Sequence, residues 1–193
     1  TRRDVRSVRV ANRTAFLIGD DKVTVSAYLK YKDLFHPLTF GVVDNKSLDW
    51  GGTAQYQGSR QIAGFKNDFT AGLNVFVGEN RNRTYVNNGG NRGALTNDVM
   101  EKSLNIELYG ENRFWVHRDV ALILGAQLNF SHRRLDDMFP SNGNDSGTRD
   151  YWSINPKIGA LWEPTRDLQV FANVSRASEA SPAPLSASMR ISP

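Results

Sequence analysis

Between Arg149 and Ala180 the chain reads RDYWSINPKIGALWEPTRDLQVFANVSRASEA. Its first half alternates, with Trp152, Ile154, Pro156, Ile158, Ala160 and Trp162 on one face and Ser153, Asn155, Lys157, Gly159 and Leu161 on the other. A period of two is that of a β-strand, whose successive side chains point to opposite faces. Strands of soluble domains run to about 5–6 residues. A strand crossing a bilayer needs about 9–11, and aromatic girdles mark its two interfaces. The apolar face here runs from Trp152 to Trp162, a Trp at each end. Length, alternation and terminal Trp predict a membrane-crossing strand, provided the rest of the chain repeats the pattern.

It does. KVTVSAYLKYK (22–32) sets Val23, Val25, Ala27, Leu29 and Tyr31 against Thr24, Ser26, Tyr28, Lys30 and Lys32. Similar alternation runs through SLDWGGTAQYQG (47–58), 65–77, KSLNIELYGENRFWV (102–116), DVALILGAQLNFSH (119–132) and DLQVFANVSR (167–176). In the last of these Phe171 interrupts the polar face, and a first segment over 5–18 is interrupted by Arg6, Arg9 and Arg13. That makes eight extended segments with no competing helical period. No stretch approaches the 18 apolar residues of a transmembrane helix. The expected fold class is therefore all-β, an antiparallel up-and-down transmembrane barrel.

The connections differ by side. GDDK (19–22), GSRQ (58–61), VHRD (116–119) and EPTRD (163–167) read as short turns. Between them, 34–46, 79–101 and 133–150 read as longer polar loops. Membrane barrels have short periplasmic turns and longer extracellular loops. Phe16, Tyr56, Trp115 and Trp162 all stand near a short turn, as one interfacial girdle requires.

The charges, 24 Lys+Arg against 20 Asp+Glu for a net +4, are spread along the chain. No basic stripe points to nucleic acid. There is no Cys, no HExxH and no GxSxG, and the three His (His36, His117, His132) fall in separate connections or strand ends. No catalytic constellation follows. NGNDSGTRD (142–150) lacks the ligand spacing of a calcium loop, and NNGGNRG (87–93) lacks the strand-to-helix setting of a phosphate cradle. Neither metal nor cofactor is implied, and the chain does not read as an enzyme.

The stretch Asn155-Pro156-Lys157-Ile158-Gly159, then Glu163-Pro164, then Phe171, Asn173, Ser175 and Arg176 resembles TonB-dependent outer-membrane receptors. In those receptors a Pro-Lys-hydrophobic-Gly strand descends to a short turn, and the next strand rises to SR and a loop containing AP. LNIELYGENRFWVHRDVALILGAQ (104–127) is similar in style. The resemblance implies a 22-stranded barrel around an N-terminal plug, located in the bacterial outer membrane. It implies import of a ferric siderophore or similar scarce nutrient, driven by the TonB complex acting on the plug. Residues 1–193 are then a segment of about eight strands of that barrel, without the plug and the C-terminal strands. Counting directions places both ends on the long-loop side, and an eight-stranded barrel is too narrow to enclose a plug.

On that reading Arg81, Arg83, Tyr85, Arg92, His132, Arg133 and Arg134 lie on the long-loop side and are the candidate ligand-binding residues. Forked guanidinium donors match the oxygen-rich surface of an anionic ferric siderophore. Tyr adds a flat face and a hydroxyl. The competing roles for these residues are solvation and contact with outer-membrane lipid, chiefly the phosphates of lipopolysaccharide. Two other readings of the whole chain stand beside this one. The first is a self-contained eight-stranded outer-membrane barrel with a structural or adhesive role, and the second a soluble β-protein binding carbohydrate.

Overall fold

The computed structural model describes residues 3–141 and 143–178. Eight strands follow in chain order: β1 (Asp4–Ile18), β2 (Asp21–Leu38), β3 (Gly41–Ile62), β4 (Phe65–Asn88), β5 (Asn91–His117), β6 (Val120–Asp137), β7 (Gly147–Thr165) and β8 (Leu168–Ser175). They form one antiparallel sheet in the order β1-β2-β3-β4-β5-β6-β7-β8. β1 and β8 are not paired with each other, so the sheet is open. The AP-containing stretch on which the resemblance placed the last loop, 181–188, lies outside the described residues.

The register separates two faces as the alternation predicts. Directly opposed residues share a face, and one row runs Val25, Ala54, Leu73, Leu108, Leu128, Ile154 across β2 to β7. The next position along each strand gives Ser26, Thr53, Asn74, Glu107, Asn129, Ser153. The apolar face is uncovered: Leu124, Ile154, Ile158 and Val174 are all exposed, whereas the buried apolar residues are Val42, Ala121, Ile123 and Leu161. A soluble sandwich would pack that face against a second sheet. Here it is a continuous band, which argues against the soluble reading.

Aromatic residues bound the band. On β6 and β7, Trp162 opposes Val120 and Trp152 opposes Phe130, the last two rings 4.5 Å apart. Val120 and Phe130 are ten positions apart. At about 2.5 Å of height per residue for a strand tilted about 40°, that step rises about 25 Å, the height of the apolar band in membrane barrels. On the turn side Phe16, Tyr56, Phe69 and Phe114 continue the girdle, with Tyr56 and Phe69 stacked at 5.7 Å.

Trp115, expected in that girdle, is not on the apolar face. It opposes Ala121 and packs on Ala121, Ile123 and Leu161, while its indole N–H donates to Asp68 at 2.7 Å. Nearness to a turn sets height but not face.

The loops also differ from expectation. GSRQ (58–61) lies within β3, and the turn is Ala63–Gly64, where both residues have positive φ (52° and 80°). That is the requirement of a two-residue hairpin turn matched to strand twist. Most of 34–46 and 79–101 is not loop. Leu38 opposes Gly41, Asn88 opposes Asn91, and the strands run out as hairpins to tight turns at 39–40 and at Gly89–Gly90. Among the described residues the one longer connection between strands is that from β6 (ending at Asp137) to β7 (starting at Gly147). Cross-strand side-chain bonds, rather than an apolar face, hold the hairpin extensions together.

The polar face is knit by hydrogen bonds. Asn74 donates to Glu107 (3.0 Å), Asn80 to Glu101 (2.7 Å) and Lys157 to Glu111 (2.7 Å). Tyr109 lies flat over Gly72, where any Cβ would stand 2.4 Å from its ring, and its hydroxyl accepts from Gln55 at 3.1 Å.

Candidate functional site

The seven candidate residues all lie at the ends of β4, β5 and β6 beyond the aromatic band, but on both faces. Arg81, Arg83 and Tyr85 belong to the apolar-face register, opposing Lys46, Asp44 and Val42. Arg81 donates through Nε (3.0 Å) and Nη2 (2.7 Å) to both carboxylate oxygens of Asp98. That forked contact holds its guanidinium pKa above the ordinary value. Arg92 donates to Asp44 at 2.7 Å and Arg83 reaches the same oxygen at 3.4 Å. The Arg92 guanidinium also lies 4.8 Å above the Phe35 ring and 5.9 Å above that of Tyr85. Asp44 is 1% exposed and Val42 fully buried beside it.

These contacts join the β4–β5 hairpin to the β2–β3 hairpin. Register shifts at Thr84/Tyr85 and Tyr85/Asn87 bend the β4–β5 ribbon, and Asn87 donates to the Leu38 carbonyl at 2.8 Å. Three of the seven candidates, Arg83, Tyr85 and Arg92, therefore surround one latch between hairpins, while Arg81 is tied to Asp98 within the β4–β5 hairpin.

His132 and Arg134 share the apolar-face register on β6. The His132 Nδ1 lies 2.6 Å from an Asp150 oxygen, and Arg134 donates to Asp136 at 2.7 Å. That hydrogen bond, ahead of the neighbouring positive charge, holds the Asp136 carboxyl below its usual range.

Arg133, between them, is on the polar face. It donates to Asn105 at 2.7 Å and to the carbonyls of His132 and Leu104. Ser131 donates to the same Asn105 oxygen at 2.9 Å, and Asn129 to Ser153 at 3.1 Å. With Glu107 and Tyr151 these residues line a cavity of about 380 Å³, within the size range of ligand sites. The Asn129 Oδ1 is buried beside it without a hydrogen-bond partner among the described residues. A guanidinium, a phenol, hydroxyls, amides and the Glu107 carboxylate, which accepts from Asn74, converge on this cavity, a set able to hold an oxygen-rich ligand by directed hydrogen bonds.

Asn105, Asn129, Ser131, Tyr151 and Ser153 were not among the candidates. The signal was present in their parity: Asn129, Ser131, Tyr151 and Ser153 alternate with Phe130 or Trp152 at the outer girdle, and Asn105 with Ile106, which opposes Phe130, so all five are on the opposite face at that height.

An open antiparallel sheet with one lipid-matched face and one hydrogen-bonded polar face defines the wall of an up-and-down membrane barrel. The chain belongs to the TonB dependent receptor-like β-barrel family, whose model matches residues 2–190. Its fold is similar to that of the ferric citrate transporter FecA in unliganded form, with TM-score 0.73 at 10% identity over 89% of this chain and 27% of that one. It is also similar to BauA, the ferric preacinetobactin receptor from Acinetobacter baumannii (TM-score 0.69, 11% identity, 89% and 30%). A third is the ferric-catecholate import receptor Fiu from E. coli K12 in open form (0.67, 13%, 90% and 35%). The chain thus spans about a third of the length of these structures. A search of curated protein sequences returns no match.

Proposed function

We propose that this chain is one section of the barrel wall of an outer-membrane receptor that imports a ferric siderophore, in a TonB-dependent manner, around a plug supplied by the complete protein. The apolar face meets lipid and the polar face lines the lumen. The mechanism is recognition and gated passage rather than bond chemistry. Several observations agree with it: an open sheet whose polar face offers wide, wet wall, and a fold shared with receptors for ferric complexes. The one that carries the ligand assignment is the polar-face cavity at the outer end, where Arg133 and Tyr151 stand among amides and hydroxyls. A ferric chelate with anionic oxygens at its surface suits that set.

Of the seven candidates, this reading rests on Arg133, whose register is that of the polar face, whereas Tyr85 opposes Val42 on the other. Arg81, Arg83, Arg92, His132 and Arg134 each lie against a carboxylate on the other face, beside the hydrocarbon band and therefore nearer to lipopolysaccharide phosphates than to the lumen. The test is radioiron uptake by cells that express the complete receptor as their sole ferric-siderophore importer. Arg133→Gln should weaken chelate binding about tenfold, the scale of one charge-assisted contact, while Arg134→Gln leaves it unchanged. Equal losses in the two variants, or growth on no ferric chelate at all, would remove the assignment.

A further inference from the structure

Outside the aromatic band the strands do not form one continuous rim. β5 keeps β4 as its partner out to Asn91, opposite Asn88, but its pairing with β6 ends at Val99, opposite Asp137. One main-chain bond follows, from the Met138 N–H to the Asp98 carbonyl at 2.8 Å. Bonds between antiparallel strands recur at every second residue, so the next would join Pro140 to Thr96. Pro140 has no N–H to give, and its carbonyl accepts from Gly143 at 3.2 Å within its own connection. Thr96 is equally unsuited. β5 passes from Asn97, opposite Thr84, to Leu95, opposite Tyr85, so Thr96 is the extra residue of a bulge, and bulges terminate pairing. The two breaks face each other. Beyond them 91–97 has no partner strand on the β6 side among the described residues. The β6–β7 connection closes on itself: the Asp137 carboxylate accepts from the N–H groups of Phe139 (2.8 Å) and Asp145 (3.1 Å), and the Asp137 N–H donates to Ser146 (2.9 Å).

The neighbouring gap, between the β2–β3 and β4–β5 hairpins, is shut. Asp44, buried, takes Arg92 at 2.7 Å and Arg83 at 3.4 Å. Asn87 donates to the Leu38 carbonyl at 2.8 Å, next to the tip of the shorter hairpin. At Gly41 a Cβ would stand 3.0 Å from the Tyr85 carbonyl oxygen, so the two ribbons run in contact there. Separating them would leave a buried carboxylate without its cations, which is costly. No comparable tie crosses from β5 to β6 beyond Asp98 among the described residues.

We propose that the outer mouth of this wall is built as two leaves. Asp44 fuses the β2–β3 and β4–β5 hairpins into one rigid leaf, and the β6–β7 hairpin is a second that swings on its own. Pro140 and the bulge at Thr96 are the built-in break between them. The hinge is the last pair of contacts below the break, Met138 on Asp98 and Lys102 with Asp136 at 3.6 Å. Below it β5 and β6 pair without a gap from Val99 to Trp115, so the swing leaves the membrane band undisturbed. The outer cavity lies under the break, with Asn105 from a strand of the first leaf and Ser131, Arg133 and Tyr151 from strands of the second. Movement of the second leaf therefore changes the approach to that cavity while the first stays fixed. The inference rests on the hairpin ends lying outside the hydrocarbon, as in the proposed function, and on neither iron nor the identity of the chelate.

The experiment measures distances by pulsed electron paramagnetic resonance in the complete receptor in phospholipid nanodiscs. Phe40, Val86 and Met138 are exposed and take spin labels as Phe40→Cys, Val86→Cys and Met138→Cys. The pair at positions 40 and 86 reports within the first leaf, and the pair at 86 and 138 reports across the break. The second distance distribution should be about twofold broader than the first, or more. Asp44→Asn should broaden the first by about the same factor. Pro140→Val combined with deletion of Thr96 restores the donor and removes the bulge, and should narrow the second about twofold. Where the deletion blocks assembly, the parent and Asp44→Asn distributions decide alone. A first distribution as broad as the second in the parent, a first distribution unchanged by Asp44→Asn, or a second unchanged in the assembled double variant would each overturn the proposal. Failure of the radioiron test with these widths as expected would instead count against the outer-cavity assignment.

Discussion

Placing an arginine at Leu124 tests the two-face reading at its most sensitive point. Leu124 opposes Ile158 on β7, which in turn opposes Val174 on β8, all on the apolar face. Taking the band to run from Val120 to Phe130 puts its midplane near position 125, so Leu124 sits about 2.5 Å from the middle at about 2.5 Å of height per residue. An Arg on the lipid face costs about 2–4 kcal/mol at the midplane and about 0–1 near an interface. On the other neighbouring strand Leu124 opposes Asn112, whose side chain donates to Asn67 at 3.0 Å. That amide offers a snorkelling guanidinium a partner, which moves the expected cost toward the lower end, about 2–3 kcal/mol. Leu122, about 7.5 Å from the middle, should cost less as Arg. Gln127→Arg, on the polar face beside Tyr109 and Asn155, should cost under about 1 kcal/mol because its charge stays in water. The measurement is urea unfolding of the complete receptor in phospholipid vesicles, followed by Trp fluorescence. A greater cost for Gln127→Arg than for Leu124→Arg would mean that the faces are exchanged. Equal costs for Leu122 and Leu124 would mean that the midplane is misplaced.

Other perturbations separate local devices from the barrel as a whole. Gly72→Ala drives a Cβ into the Tyr109 ring, so it should cost about 1–3 kcal/mol in the same titration, and Tyr109→Ala made in addition should add less than it does alone; simple additivity would deny the contact. Asp44→Asn leaves Arg83 and Arg92 without their carboxylate, and with Arg92 half exposed the loss should be about 1–3 kcal/mol, seen as faster hydrogen exchange at Gly41 and Val42 while the membrane band is unchanged. Ala63→Asn should stabilise by up to about 1 kcal/mol, since Asn tolerates the positive φ that Ala63 holds at 52°; a lower urea midpoint would contradict the turn geometry. Asp136 has its pKa lowered in the fold by its bond to Arg134, so its contribution is present above the ordinary carboxylate range and is lost as pH falls through the folded value. Hydrogen exchange at the outer end of β6 should therefore be faster in Asp136→Asn than in the parent at pH 6, with the gap closing below about pH 4; a gap that widens in acid would reverse the assignment.

What was legible in the sequence was whatever the bilayer constrains. Between the girdles each strand has hydrocarbon on one side and water on the other, so β2, β6 and β7 carry a plain two-residue period. Beyond the girdles that contrast ends, because neither side meets hydrocarbon. The strands continue there without alternation, and their register depends on pairs such as Arg81 with Asp98 and Arg83 with Asp44. Such pairs leave no local pattern, which is why 34–46 and 79–101 read as loops. Trp115 shows a second limit. It keeps the parity of Asn105, Glu107 and Tyr109 and pairs in register with Ala121, so alternation puts it on the polar face and proximity to a turn says nothing about face.

The candidate site suffered from both limits. Arg133 and Arg134 are adjacent and identical in type, yet one donates to Asn105 on the polar face and the other to Asp136 on the opposite face. Charge and height cannot tell them apart, but parity can. Counting from Trp152 and its partner Phe130 assigns Ser131 and Arg133 to the polar face and His132 and Arg134 to the other. The same count, carried along the row through Asn105 to Phe76 and Tyr28, picks out two rings on a face where lipid supplies no reason for them. An aromatic on the lipid face needs no ligand to explain it, because the interface itself does. On the other face packing explains a ring instead: Tyr109 closes over Gly72, and Tyr28 and Phe76 close about Gly51, so parity has to be joined to what a side chain touches before it says anything about function.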